Sequence, residues 1–120
     1  MFSPLYDLVK NNAGVQAVLG NPVRLYAFGD AAQDGSKPYA VQQTVGGQPE
    51  NYLSGVPDLD SIIVQLDVYA PAMTQAKSIV VALAAVIEPV AYITSWNGEF
   101  RDTETKLWRI SFTVEFKHPR

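Results

Sequence analysis

Ten residues near the middle of the chain, Ser61 to Ala70, constrain the fold more than any others. Ile62, Val64, Leu66, Val68 and Ala70 fall on one side of an extended chain, and Ile63, Gln65, Asp67 and Tyr69 on the other. A period of two with one dry face is the mark of a strand packed on a single side. Pro71 stops it, and the spacing predicts a helix over Gln75 to Glu88, with Thr74 as N-cap and Pro89 beyond its end. A strand with one dry face, followed at once by a helix, calls for helices stacked on a sheet.

The predicted helix is too apolar for that task alone. Ala76, Ile79, Val80, Leu83 and Ile87 make an ordinary buried stripe. Val81, Ala82, Ala84, Ala85 and Val86 then leave almost no polar flank after Ser78. A helix apolar all round is buried all round, yet in a two-layer domain one side should meet water. Covering of Val81, Ala85 and Val86 by a neighbouring subunit explains the excess. Alanines serving as good helix formers on a plain surface are the alternative.

The remaining elements follow from pattern and punctuation. Residues 5–19 read as a helix in two pieces, Leu5, Leu8 and Val9 before the interruption at Asn11, Asn12 and Gly14, and Val15, Val18 and Leu19 after it. Val23 to Phe28 and Tyr39 to Val45 read as strands around a polar loop at 29–38. Residues 91–101 and 106–117 are two more, with Asn97-Gly98 a turn or bulge. In the last, Trp108, Ile110, Phe112, Val114 and Phe116 share the core face. The expected fold is α+β: one domain over 1–120, a mostly antiparallel sheet of about five strands packed against two helical segments.

Residues 46–60 fit none of these patterns. Gly46, Gly47, Pro49, Gly55 and Pro57 read as loop, but Tyr52, Leu53, Val56 and Leu59 are apolar. A structureless loop of this length is uncommon in a compact domain. It is either a long surface hairpin folded back on the domain or an arm that orders against a partner.

Composition removes most chemistry. With no cysteine there is no disulfide framework, thiol nucleophile or Cys-ligated metal. The one histidine, His118, lies next to the C-terminus with no Gly-x-Ser-x-Gly elbow to serve. The pairs and clusters Asp58/Asp60 and Glu99/Asp102/Glu104 match no calcium loop and read as turn and solubility residues. Asp67, mid-strand, is expected to pair with Arg109. The sequence predicts no enzyme, no cofactor and no metal. The N-terminus lacks a signal-peptide pattern, and the longest apolar run, Ile79 to Ile87, is under half of a membrane span. A net charge of −3 argues against a dedicated nucleic-acid binder. Only 18% of residues are charged, against about 25% in an average domain, which suits a subunit with covered faces.

Lys37-Pro38-Tyr39-Ala40-Val41-Gln42-Gln43 with Gly47-x-Pro49-Glu50, Val64 to Ala70 followed by Ala76-Lys77, and Glu104-Thr105-x-Leu107-Trp108-Arg109 occur in this order after a helix ending Ala17 to Gly20. The set resembles the small tail-completion proteins of long-tailed bacteriophages, the tail terminators and tail-to-head joining proteins, across nearly the whole chain. Gln43 departs from the family pattern, where an aromatic or arginine neighbourhood is common. The resemblance implies a structural virion protein, assembled in the host cytoplasm and located at the head-proximal end of the tail. There it would form a homo-oligomeric ring, typically of six, that caps the tube. It implies tail tube and head–tail connector proteins as partners, DNA only in passage through the lumen, and no catalytic residues. The candidate interface residues are Tyr52, Leu53, Val56, Leu59, Val81, Ala85 and Val86. A small homodimeric binding domain without catalysis is the competing reading.

Overall fold

A computed structural model describes residues 5–27, 38–52, 55–101, 103 and 106–119, with 46–52, 55–60, 118 and 119 described by their backbone alone. The order is α1 (Leu5–Val9), α2 (Ala13–Leu19), β1 (Leu25–Ala27), β2 (Tyr39–Tyr52), β3 (Gly55–Ala70), α3 (Met73–Ile87), β4 (Tyr92–Arg101) and β5 (Trp108–Pro119). The strands form one sheet in the order β1-β2-β3-β5-β4, antiparallel except for β1 beside β2. The fold is α+β, as the patterning predicts. The described part of the predicted 29–38 loop is Pro38, whose carbonyl accepts from Arg24 Nε at 2.6 Å. Phe28 lies outside the described residues.

All three helices cover one face of the sheet. The buried stripe of β3, Ile62 to Ala70, meets Ile110, Phe112, Val114 and Phe116 of β5, with α3 laid across both strands. Ala76, Ile79, Val80, Leu83 and Ile87 of α3 fill the same core, joined by Leu5, Val9, Val15 and Leu19 from α1 and α2. Burying each such Leu, Ile or Val contributes about 1.5–3 kcal/mol, so the helix layer is fixed by this face. Trp108 falls at the margin of the core, half-buried, with the Arg101 guanidinium 5.5 Å from its ring centroid.

The helix boundaries follow from capping. Asn12 ends the α1–α2 interruption by accepting the Val15 N–H at 3.1 Å, and Gly20 closes α2 at φ 87°. For α3 the expected Thr74 cap is wrong. The helix starts two residues earlier, at Met73 after Ala72, which offers no capping side chain. Met73 packs against the core and draws the first turn in with it, and the Thr74 carbonyl instead accepts from Ser78 Oγ at 3.0 Å. Pro89, without an N–H to continue the ladder, follows the last turn.

Residues 46–60 are not a loop. They are the outer halves of β2 and β3, paired from Gly46↔Ile63 to Tyr52↔Gly55, with register shifts at Thr44/Gly46 and Glu50/Tyr52. The glycines and prolines mislead here because the hairpin outruns its neighbours. β1 pairs β2 only over Ala40 to Gln42, and β5 pairs β3 no further than Leu59↔Pro119. Among the described residues no second strand pairs with β2 at Pro49 or with β3 at Pro57 on the side away from the hairpin, so a missing N–H there breaks no described ladder. Leu53 lies outside the described residues.

Candidate functional site

Among the described residues no helix covers the second face of the sheet, whose residues are those that alternate with the core. Its centre is a polar network spanning β3, β5 and β4. Gln65 Nε2 donates to Asp67 Oδ1 at 3.4 Å and to Ser111 Oγ at 3.3 Å. Asn97 Nδ2 donates to Thr113 Oγ1 at 2.9 Å, and Ser95 Oγ donates to Asn97 Oδ1 at 2.8 Å. Asn97-Gly98 is a bulge and not a turn: the register shifts between Trp96 and Gly98, and Gly98 adopts φ 119°. Asp67 does not pair with Arg109. Asp67 stands opposite Ser111 and Arg109 opposite Tyr69, so Gln65 supplies the carboxylate's partner.

One end of this face is aromatic and cationic. Tyr26, Tyr39 and Tyr69 make a ring series, with centroids 6.2 Å apart for the first pair and 5.0 Å for the stacked second. The row continues through Arg109, which lies opposite both Tyr69 and Phe100, its guanidinium 4.8 Å from the Phe100 ring centroid. Tyr69, Phe100, Arg101 and Arg109 line a cleft of about 190 Å³. At the other end, Glu115 accepts from Lys117 Nζ at 2.8 Å and from Ser61 Oγ at 2.8 Å. These two bonds, the Lys117 bond foremost, hold its carboxyl below the usual carboxylate range against the opposing effect of burial.

The apolar surface left open is concentrated at the β4 edge and the neighbouring flank of α3. Tyr92 is 64% exposed, Trp96 59%, and Val81 68%. Lys77 and Glu99 join the two elements at 3.9 Å. Val81 lies one helical turn beyond Lys77 and Trp96 three residues before Glu99, so both fall along the same seam. A hollow of about 240 Å³ there is lined by Trp96, Gly98, Glu99, Ile110 and Ser111. Of the predicted interface residues, Val81 and Ala85 are exposed on α3 and Val86 is half-buried. Tyr52, Val56 and Leu59 lie on the hairpin strands. Sequence reasoning missed Trp96, Tyr92 and Phe100. Their alternation on an end strand was visible in the sequence, but not that β4 would be that strand.

Little here serves catalysis. Among the described residues no three His, Cys, Asp or Glu side chains gather as a metal site, and no helix is long and apolar enough to cross a membrane. His118, Asp58, Asp60, Asp102 and Glu104 have no described side chains, while Glu99 is engaged by Lys77.

Comparison with known proteins gives a consistent result. The family model described as "Tail completion protein gp17" matches residues 3–118. No curated protein matches the chain. Twenty chains of solved structures do. One belongs to the virion of a native gene transfer agent particle, at TM-score 0.73 and 12% identity, over 97% of this chain and 92% of that one. At that identity the likeness is one of fold.

Proposed function

The chain belongs to the tail completion protein gp17 family, structural proteins of the phage tail, and on that premise we propose that it forms a ring at the head-proximal end of the tail. The ring, of six copies, caps the tube and joins it to the head connector. A closed ring needs two different, complementary patches on each subunit. The observation that carries this reading is the open apolar seam of Val81 and Trp96, with exposed Tyr92 on the same edge strand and the projecting β2–β3 hairpin as a separate surface. Tyr52, Leu53, Val56 and Leu59 then contact a neighbouring copy or the tube, and Val81, Ala85 and Val86 a neighbouring copy. The net charge of −3 suits a lumen through which DNA slides without being gripped.

Native mass spectrometry with negative-stain imaging tests this directly. A ring with a hole supports the proposal; a compact dimer sinks it in favour of the homodimeric binding domain. Val81→Asp abolishes assembly while the subunit stays folded by circular dichroism, with stability changed by less than about 0.5 kcal/mol because the site is on the surface. Normal rings from this variant remove α3 from the interface.

A further inference from the structure

The hairpin holds the whole of the chain's net charge. Residues 46–60 include Glu50, Asp58 and Asp60 and no Lys or Arg, and the remaining nine acidic residues balance the nine basic ones. The same segment has Tyr52, Leu53 and Val56 near its tip. It therefore offers carboxylates on an apolar arm.

The opposite end of the open sheet face offers the converse. Arg109 and Arg101 line the cleft with Tyr69 and Phe100. Arg109 Nε is shut away from water and unpaired. A buried donor of this kind costs free energy, and an acceptor from outside reaches it only if the side chain shifts as the partner docks. Stacking on Phe100 occupies the flat face of the Arg109 guanidinium, which leaves its donor edge for a carboxylate.

The chain's own hairpin cannot reach this cleft. From Asp60 to Tyr69 the strand runs about 30 Å at the usual rise, and the hairpin tip points further away. The molecule is 52 Å long against 29 and 24 Å across. An arm carrying the net negative charge at one end and a cationic, aromatic cleft at the other make a head-to-tail pair between copies, the kind of contact that closes by rotation.

We infer that the acidic hairpin of one copy docks in the Tyr69–Phe100–Arg109 cleft of the next. This rests on the ring reading and specifies one of its joints. The test uses three full-length proteins: the parent, Arg109→Glu, and a hairpin variant with Glu50→Gln, Asp58→Asn and Asp60→Asn. Sedimentation is expected to show self-association weakened about tenfold or more in each variant. Because the hairpin variant alters only the arm, it checks the joint even if Arg109→Glu fails to fold. Mixed together, the two variants retain one intact joint, the hairpin of the Arg109→Glu chain in the cleft of the other, and form a two-chain complex that grows no further.

Self-association of both variants within about twofold of the parent overturns the docking and leaves the ring reading in place. A parent that does not self-associate overturns the ring reading and the docking together. If Arg109→Glu keeps parental self-association but loses binding to a duplex DNA oligonucleotide, the cleft serves phosphate and the docking is again overturned.

Discussion

The two faces of β5 are built from neighbouring residues and do opposite jobs. Ile110, Phe112, Val114 and Phe116 are buried against the helices, while Arg109, Thr113 and Glu115 between them look out from an uncovered sheet. On the covered face, apolar area alone sets the fold. On the open face the side chains are polar, and their geometry is set by cross-strand hydrogen bonds and ring contacts. Stability and the surface that the open face presents can therefore be altered separately, by residues a single step apart in sequence.

Phe112→Ala and Thr113→Ala break this comparison most sharply. The first empties a fully buried site and is expected to cost about 3–5 kcal/mol. The second removes one acceptor from Asn97 Nδ2 and should cost about 1 kcal/mol. Urea unfolding midpoints at constant slope measure both; equal losses would mean the open face is as much a core as the other. Gly98→Ala comes next. An added Cβ would sit 3.2 Å from Phe100 Cζ in a backbone conformation that side chains rarely adopt, for a loss of about 1–3 kcal/mol by the same measurement. A variant as stable as the parent would show that the bulge is not held by this residue.

The smallest effect is one of pH. The folded Glu115 carboxyl titrates below its unfolded value, so its contribution is present above the unfolded pKa, near 4.5, and is lost as pH falls through the folded one. Glu115→Gln should lower stability at pH 7 by less than about 1 kcal/mol, given the partial exposure of the pair. The difference from the parent should vanish in acid. Thermal melts at pH 7 and pH 3 measure this, and an undiminished difference at pH 3 would assign the effect to packing.

The covered face was legible from sequence because burial writes a period into the chain. Every residue of the Ile62 to Ala70 stripe is in the core, as is the α3 stripe from Ala76 to Ile87. The open face was less legible, since a polar residue does not say which partner it takes. Asp67 and Arg109 looked like a pair and are one register step apart. A hairpin at 46–60 was one of two readings left open, because proline and glycine break strands within a sheet but not along a free edge. The apolar seam was half seen: Val81 showed itself as excess on a helix, whereas Trp96 and Tyr92 depended on strand order, which is a property of the whole chain.

Pro49 and Pro57 bear on what happens before assembly. A long hairpin with open edges is a template on which further chains can add strand by strand. Each proline removes a donor from such an edge, so a zipper of copies cannot propagate along it. Strand-by-strand addition along the arm is interrupted at both positions.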